Sequence, residues 1–255
     1  MHHLLYRALY PYFDVRFIHD SYSCRNGKGT HRALARFNEF GRKISKNNTR
    51  TAWVLKCDIR KFFASIDHAT LKQILAYHVA DIHIVMLLDA VIDSFETEGK
   101  PRVGLPLGNL TSQLLVNIYM NEFDQFVKCT LKTKQYIRYA DDFVFLHEDR
   151  AYLERLLPEI DAFLKETLKL SLHPDKVFIV TLASGLDFLG WVHFPHHRVL
   201  RGTTKRRMFK RVRENPSKES INSYVGLLSH GNAYQLAQII LSQRQSMAKE
   251  QDIID

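Results

Sequence analysis

The sequence predicts a mixed α+β fold, because strand-like segments alternate with helical ones over most of the chain and helical patterns dominate its end. The chain has 255 residues, of which 45% are hydrophobic, so it can bury a sizeable core and is not globally disordered. Its 36 Lys and Arg residues outnumber its 27 Asp and Glu residues, giving a formal net charge of +9. Such a balance favours a polyanionic partner, with nucleic acid as the first candidate.

The cysteines and the hydropathy pattern predict the compartment. Cys24, Cys57 and Cys129 are odd in number and too scattered for a disulfide framework or a Cys-x-x-Cys metal site, which predicts a reducing compartment. No run reaches 18 uninterrupted apolar residues, and the N-terminus lacks a signal-peptide pattern. We therefore expect a cytoplasmic protein with no membrane partner.

The first 60 residues predict a turn, a helix and a strand. Ser23–Gly29 (SCRNGKG) has turn composition, and His31–Lys46 has apolar residues at helical spacing. Ala52–Ile59 (AWVLKCDI) then predicts a largely buried strand. Asp58 is the single acid of that strand and stands near its end, where burial alone does not explain it.

The middle of the chain predicts three helices and a hairpin. The helical patterns cover His68–Val79, about Ile82–Phe95 and about Asn109–Leu131, the last one after a loop rich in Gly and Pro. Gln135–Leu146 (QYIRYADDFVFL) has hairpin composition, with an Asp-Asp pair at its tip.

The last third predicts a helix, two strands and a separate helical module. Residues 151–168 are helix-like, although Pro158 must kink or divide that helix. The two strands are expected over Val177–Val180 and Leu186–Phe194. Beyond them the composition becomes strongly basic, and helical patterns at Ser217–Leu228 and Ala233–Lys249 predict a small module. The soft boundary lies near residue 195.

Three carboxylates are placed at strand ends: Asp58 after VLKC, and Asp141 and Asp142 between IRYA and FVFL. Carboxylates on rigid adjacent strands can hold two magnesium ions roughly 3.5–4 Å apart, as two-metal phosphoryl transfer requires. A lone Asp-Asp pair would more often be an exposed hairpin turn. The third acid, at another strand end, favours the metal site.

These segments resemble, in order, the motifs of reverse transcriptases. YADD in this chain resembles the signature box of the family, and DIRKFFASIDH resembles the metal-binding motif that precedes it. The matching segments are Asp58–His68, Gly104–Gln113 (GLPLGNLTSQ, similar to the template-contacting motif), Tyr139–Asp142, Leu172–Lys176 (LHPDK) and Phe188–Gly190 (FLG). In addition, Ser223–Leu236 resembles the thumb of bacterial retroelement enzymes.

The resemblance implies a right-hand polymerase fold, with fingers at 1–50, a ferredoxin-like α+β palm at 51–195 and a helical thumb at 196–255. It implies an RNA-directed DNA polymerase that extends a DNA or RNA primer on an RNA template, with deoxynucleoside triphosphates as substrates. Two Mg²⁺ ions, or Mn²⁺ in their place, would be the cofactors. We also expect the fingers to lack their upstream part, because the family has further fingers motifs before the segment with which this chain begins.

The template-contacting motif implies a subgroup. Bacterial relatives usually carry Q-G-x-x-x-S-P where this chain has Leu107–Gln113 (LGNLTSQ). This form resembles the enzymes of diversity-generating retroelements, which implies error-prone copying of a template RNA at adenines and a small basic accessory protein as partner. The alternatives are a group II intron-type or phage-defence reverse transcriptase, or a non-catalytic RNA-binding scaffold with the same fold.

The resemblance also carries roles to single residues. The metal ligands would be Asp58, Asp141, Asp142 and the backbone carbonyl of Ile59. The nucleotide would be bound by Arg25, Lys28, Arg32, Lys176 and Phe63, the last as a steric gate at the sugar 2′ position; the template would be contacted by Leu107, Gly108, Ser112 and Gln113. Core packing is the alternative for Phe63, and a solvated turn or loop is the alternative for the cations.

The densest cationic run predicts a nucleic-acid surface. It comprises Lys205, Arg206, Arg207, Lys210, Arg211 and Arg213. We expect it to contact the backbone of a template–primer duplex, with a solvated helix face as the alternative. His193, His196 and His197 have no cysteine or acid at ligand spacing, so we expect surface or strand-end histidines rather than a zinc site.

Overall fold

The computed structural model describes residues 2–214 and 217–251, with side chains up to residue 242. The chain forms two compact units, Met1–Ile179 and Val180–Asp255. Among the helices of the described residues, none is long and apolar enough to cross a membrane.

The first unit combines helices with one sheet. Its elements are α1 (His2–Asp14), α2 (Thr30–Ile44), β1 (Trp53–Asp58), α3 (His68–His78), α4 (Ile82–Asp93), α5 (Leu110–Gln125), β2 (Tyr136–Tyr139), β3 (Asp142–His147) and α6 (Arg150–Glu166), with β4 (Phe178–Thr181) at its end. The elements expected from the sequence are present, and α1 is an addition to them.

The sheet brings the predicted carboxylates together. Its strand order is β2-β3-β1-β4, and β3 pairs antiparallel with both β1 and β2. In this register Asp142 lies directly opposite Asp58 on one side and Tyr139 on the other. The expected hairpin is confirmed, and its tip lies beside the end of β1.

Aromatic packing fixes the sheet against the helices. The ring of Phe123, on α5, lies 5.1 Å from that of Phe143 and 5.9 Å from that of Tyr136, measured between centroids. All three residues are buried, and α6 closes the same core with the ring of Phe163, 6.0 Å from Phe123. Burying such aromatic surface is the main source of stability, so the strands that carry the acids are rigid.

Asp side chains cap three helices of this unit. Asp67 accepts a hydrogen bond from Thr70 N at α3, Asp81 from His83 N and Ile84 N at α4, and Asp149 from Ala151 N at α6. These caps satisfy amides that have no partner within the helix.

Of the two alternatives for Pro158, a kink or a division of the helix over 151–168, the division is wrong, because α6 continues through it; the kink stays a prediction. Buried leucines and an isoleucine on both sides of Pro158 hold the helix to the core: Leu153, Leu156, Ile160 and Leu164. Tertiary packing therefore outweighs the missing amide hydrogen bond.

The second unit contains a small sheet and three helices. They are β5 (Leu186–Phe188), β6 (Trp191–His193) and β7 (Arg198–Leu200), paired antiparallel in the order β5-β6-β7, then α7 (Gly202–Glu214), α8 (Lys218–Leu228) and α9 (Tyr234–Gln251). The single strand expected over Leu186–Phe194 is in fact a hairpin. Its turn has positive φ at both Leu189 (51°) and Gly190 (85°), a conformation that a leucine rarely adopts and therefore does not signal.

The unit boundary lies before the predicted one near residue 195, because the small sheet packs with the helices that follow it. Arg198 Nε donates to the carbonyl of His230, and Asn232 N donates to the carbonyl of Arg198 at 2.9 Å. A Cβ on Gly231 would collide with the Trp191 ring, so only glycine fits there. The division into fingers, palm and thumb remains a prediction.

Candidate active site

The three acids lie where two strand ends meet a two-residue turn. Asp58 is the last residue of β1 and Asp142 the first of β3, while Ala140 and Asp141 link β2 to β3. Ala140 has a φ of 56°, the left-handed backbone that such a turn requires. Ile59 N donates to the carbonyl of Asp141 at 3.2 Å, which ties the turn to the end of β1.

Two lysines neutralise part of this acidic cluster. Lys176 Nζ lies 3.0 Å from Asp58 Oδ1, and Lys56 Nζ lies 3.1 Å from Asp142 Oδ2. Lys56 was not among the predicted site residues, although its position two residues before Asp58 puts both side chains on one face of β1. The alternation of side chains between the two faces of a strand would have indicated this position.

Burial and mutual repulsion raise the pKa values of two of the acids. Burial raises the pKa of Asp142 to about 6, against the opposing effect of Lys56, and the charges of Asp58 and Asp141 raise it further. Burial also raises the pKa of Asp141, with the charge of Asp58 as a second cause. Converging carboxylates of this kind favour a cation between them.

The donor set fits a hard divalent cation, although the side chains are not arranged around one. Within the described residues, no group of three or more His, Cys, Asp and Glu side chains stands ready to hold a metal ion. Lys56 and Lys176 instead hold two of the carboxylate oxygens. However, Asp142 Oδ1 is buried without a hydrogen-bond partner, and carboxylate oxygens are the ligands that Mg²⁺ prefers.

A buried ion pair supports the turn from below. The guanidinium of Arg138 binds the carboxylate of Asp124 through Nε at 2.8 Å and Nη2 at 2.7 Å, and both side chains are fully buried. Nη1 of Arg138 also donates to the carbonyl of Ala140 at 3.2 Å. A charged group inside the core thus holds the turn. This support was not predicted, because the sequence does not show which residue pairs with an arginine in a buried strand.

Two of the acids, Asp58 and Asp141, line a pocket of about 520 Å³. The segment His173–Lys176 forms part of its wall and is tied to the strand end, since His173 N donates to the carbonyl of Asp58 at 2.8 Å. Arg60 and Lys61 also line this pocket. The structure therefore brings together the predicted acids, Ile59 and Lys176.

Phe63 lies near this pocket but does not line its described wall. Its side chain is partly buried against the core, and its ring lies 5.5 Å from that of Phe62 at a steep angle. Both the steric gate and the packing role are compatible with this position, so the gate stays a prediction.

The three predicted fingers cations have different environments. Arg25 is engaged internally: it binds Asp14 through Nε at 2.7 Å and donates to the carbonyls of Asp14, Ile18 and Ser21. Lys28 Nζ donates to the carbonyl of His19 at 2.8 Å, whereas the side chain of Arg32 is exposed. Arg25 thus holds the turn together, and Arg32 is the most accessible of the three to a phosphate.

The template-contacting residues surround the start of α5. The side chain of Leu107 is 78% exposed, and Gly108 has a φ of 92° that suits glycine. Ser112 is buried in the first turn of the helix and Gln113 is half-buried. Leu107 is therefore the residue of this group that presents an apolar side chain to solvent.

The basic run forms one face of α7. Met208 and Val212 are buried, while the cations are exposed: Lys205, Arg206, Arg207, Lys210, Arg211 and Arg213. Only Lys210 has an ion pair among the described residues of this helix, with Glu214 at 3.7 Å. The arrangement allows both phosphate contact and a solvated face.

The three histidines differ from each other. His196 and His197 are exposed, as expected, but His193 is buried at the end of β6. The strand-end position was predicted and the surface alternative is wrong for His193, because the side chain points to the side on which the small sheet packs.

Comparison with known proteins decides the family. A family model described as reverse transcriptase (RNA-dependent DNA polymerase) matches residues 1–193, well over half of the chain. The chain belongs to the reverse transcriptase family. Members of this family are RNA-directed DNA polymerases and generally use divalent metals such as Mg²⁺.

The curated relatives include bacterial and group II intron proteins. Protein YkfC of Escherichia coli (strain K12) is 26% identical over 251 residues, covering 84% of this chain and 64% of its own length. The group II intron-encoded protein LtrA of Lactococcus lactis subsp. cremoris is 23% identical over 242 residues, 69% of this chain and 39% of LtrA. The chain thus spans less than two thirds of these relatives.

Solved telomerase structures share the fold. The telomerase of Candida albicans, in complex with the TWJ fragment of telomeric RNA, superposes with a TM-score of 0.61 at 12% identity, over 95% of this chain and 46% of that one. The apo telomerase of Candida tropicalis, truncated from its C-terminal domain, gives 0.57 at 16% identity, over 78% and 44%. The predicted α+β polymerase fold is confirmed.

Proposed function

We propose that this reverse transcriptase chain extends a primer on an RNA template at the pocket lined by Asp58 and Asp141, with Asp142 paired to Asp58 beside it. The observation that carries the proposal is the meeting of these acids at the ends of two paired strands, with Lys176 in an ion pair with Asp58 at the same pocket. A surface that merely binds RNA has no use for three acids facing a polyanion, which argues against the scaffold alternative.

Two divalent ions would be held by the three carboxylates and the carbonyl of Ile59. When bound, they supply activation of the primer 3′-hydroxyl and charge neutralisation at the triphosphate. Asp142 supports this assignment in two ways. Its Oδ1 is buried without a hydrogen-bond partner, and its raised pKa shows that the protein's own groups do not fully stabilise the charged carboxylate.

The chain's own cations would position the nucleotide. Lys176, half-exposed beside Asp58, can turn from that carboxylate to a phosphate oxygen without leaving the pocket wall. Arg32 and Lys28 would approach the triphosphate from the fingers, and Phe63 would restrict the sugar. The exposed cations of α7 would contact the duplex backbone, with affinity that falls steeply as salt rises.

Primer extension on a homopolymer RNA template with Mg²⁺ tests the proposal. Asp58→Asn and Asp141→Asn should each lower extension by about three orders of magnitude or more, because each removes a metal-ligating charge. Binding of the template–primer duplex should change little in either variant.

Asp161→Asn is the matched control. It makes the same substitution on the exposed face of α6, where the carboxylate pairs with Lys165, and it should keep extension at the wild-type level. Extension retained by Asp58→Asn would reject the active-site assignment. Duplex binding without extension by the unaltered chain would favour the scaffold.

We propose two alternatives for the kind of reverse transcriptase to which this chain belongs. The Leu107–Gln113 form supports an error-prone enzyme of the diversity-generating type, because an exposed Leu107 offers shape where a glutamine would offer polar contacts. The similarity to the group II intron-encoded protein LtrA supports an intron-type enzyme instead.

Sequencing the cDNA made on a mixed-base RNA template separates the two. The diversity-generating proposal expects many substitutions opposite adenine and few opposite other bases, with fewer in Leu107→Gln. A low and even error spectrum, unchanged in Leu107→Gln, would favour the intron-type enzyme.

A further inference from the structure

A second pocket of the first unit lies on the other side of the Arg60–Lys61 turn. It has a volume of about 490 Å³ and is lined by four cations and two hydroxyl groups. These residues are Arg60, Lys61, Lys100, Lys169, Ser65 and Ser171. None of them belongs to the set of acids that forms the candidate active site.

The lining of this pocket carries more positive than negative charge. Its lining contains one acid, Asp67, whose Oδ1 already accepts from Thr70 N at 2.8 Å and from Thr70 Oγ1 at 2.7 Å. Within the described residues, the side chains of Arg60, Lys61 and Lys100 make no hydrogen bond or ion pair. Lys169 Nζ donates to the carbonyl of Glu166 at 2.8 Å. Four positive charges against one negative charge around a single cavity favour a multiply charged anion.

The backbone presents two of these cations at some cost. Lys61 has a φ of 48° and Lys169 a φ of 53°, both in the left-handed region that residues with a Cβ rarely adopt. Each such residue costs about 1 kcal/mol or more. Both residues line the same cavity.

The chemistry of the lining matches a polyphosphate. A guanidinium binds phosphate oxygens in pairs, ammonium groups add point charges, and serine hydroxyls donate to remaining oxygens. The cavity lies within the size range of small-molecule pockets. Arg60 and Lys61 line the candidate active-site pocket as well, so the two pockets share a wall.

We propose that this second pocket binds a polyphosphate, either the pyrophosphate product or the triphosphate of an arriving nucleotide. The proposal rests on the proposed function, because both molecules belong to the polymerase reaction. An anion that leaves the acids would meet the second pocket on the other side of the same turn.

Binding is tested on the full chain without nucleic acid or divalent metal, with inorganic tripolyphosphate and pyrophosphate as probes in isothermal titration calorimetry. Lys100→Gln combined with Lys169→Gln should weaken binding by about tenfold or more, because two charge-assisted contacts are lost. Both residues lie outside the pocket that holds the acids.

The matched control is Lys132→Gln combined with Lys134→Gln. It removes the same charge from two exposed lysines, and Lys132 has a φ of 53°, as Lys169 does. The control should change the affinity by less than about twofold, since distant surface charges are screened. Equal affinities of the two double variants, or no saturable binding by the unaltered chain, would overturn the proposal.

Primer extension identifies the source of the polyphosphate. A higher inhibition constant for pyrophosphate in Lys100→Gln/Lys169→Gln indicates the product, and a higher KM for the nucleotide indicates the substrate. If an RNA duplex without a terminal polyphosphate displaces tripolyphosphate, and the double variant loses duplex affinity equally, the pocket is a nucleic-acid surface and the proposal fails. The calorimetric result stands even if Asp58→Asn leaves extension intact, so the two proposals fail separately.

Discussion

Among the described residues, three ion pairs adjoin the Ala140–Asp141 turn, and they fall into two groups, one in the core beneath the turn and one among the acids of the site above it. Arg138 and Asp124, beneath the turn, are fully buried and joined by two hydrogen bonds. Above it, Lys56 and Lys176 each make one contact with an acid of the site, and the side chain of Lys176 is 52% exposed. The Arg138–Asp124 pair is fixed, whereas Lys56 and Lys176 can give way to another cation.

This difference shows how one hairpin can be both rigid and reactive. A buried pair cannot lose one partner without leaving a bare charge in the core, so it fixes the backbone of the turn. A partly exposed pair loses little when a water molecule or another ion replaces the lysine. The acids can therefore exchange a lysine for a metal while their backbone stays in place.

Breaking the lower pair should have the largest effect. Arg138→Leu and Asp124→Leu should each lower the free energy of unfolding by about 3–5 kcal/mol, because each leaves an unpaired buried charge. The double variant Arg138→Leu/Asp124→Leu should lose clearly less than the sum of the two single variants. Urea unfolding measures all three, with the exposed pair Lys165–Asp161 as the control, expected to change by about 0.5 kcal/mol or less. If the free energy of unfolding of each single variant lay within about 1 kcal/mol of the wild type, the buried pair would not be what fixes the turn.

His193 extends the comparison to a buried ionisable group held in its neutral form. Burial lowers its pKa to about 4, and the positive charge of Arg198 adds to the effect. The unfolded chain takes up a proton near pH 6.5 and the folded one near pH 4, so stability is full above about pH 6.5 and falls as the pH drops towards 4. The loss should amount to about 2–3 kcal/mol.

Carboxylates titrate in the same range, so the measurement is the difference between thermal unfolding curves of the wild type and His193→Gln from pH 7 to 4. His196→Gln, at an exposed position, should follow the wild type. A His193→Gln curve parallel to the wild type would show that His193 does not contribute to the acid sensitivity.

Removing the upper lysines should have the smallest effect on stability. Lys176→Gln should change the free energy of unfolding by about 1 kcal/mol or less, and Lys56→Met by about 1–2 kcal/mol because its side chain is 12% exposed. Both should bind Mn²⁺ more tightly in the absence of nucleotide, since a competing cation is gone. Weaker Mn²⁺ binding would mean that the lysines support the metal rather than compete with it.

The sequence predicted the strand-end positions of the acids because these positions follow local patterns. Asp58 interrupts an apolar strand, and Asp141 and Asp142 occupy the tip of a hairpin, so each position can be inferred from its neighbours. Lys176 was found only through the resemblance of LHPDK to a family motif. Most of the helices were predictable for the same local reasons; α1 was not expected, and at Pro158 packing outweighed propensity.

The support of the turn was not predictable, because its partners are distant in the sequence. Arg138 bonds with Ser21, Asn117 and Asp124, and none of these contacts leaves a periodic signal. The second pocket has the same character, since it joins Arg60 and Lys61 to Lys100 and Lys169 from other loops. Only the fold shows which cations share a cavity.

The pairing of Asp58 with Asp142 means that the same strand register is needed for a stable sheet and for an aligned site. A slip of one residue between β1 and β3 would turn Asp58 and Lys56 towards the core and bring Cys57 out in their place. That alternative buries two charges in apolar surroundings, so it is disfavoured before it can persist. A molecule with a stable sheet therefore has its acids aligned, and a folded population with a misaligned site should be rare.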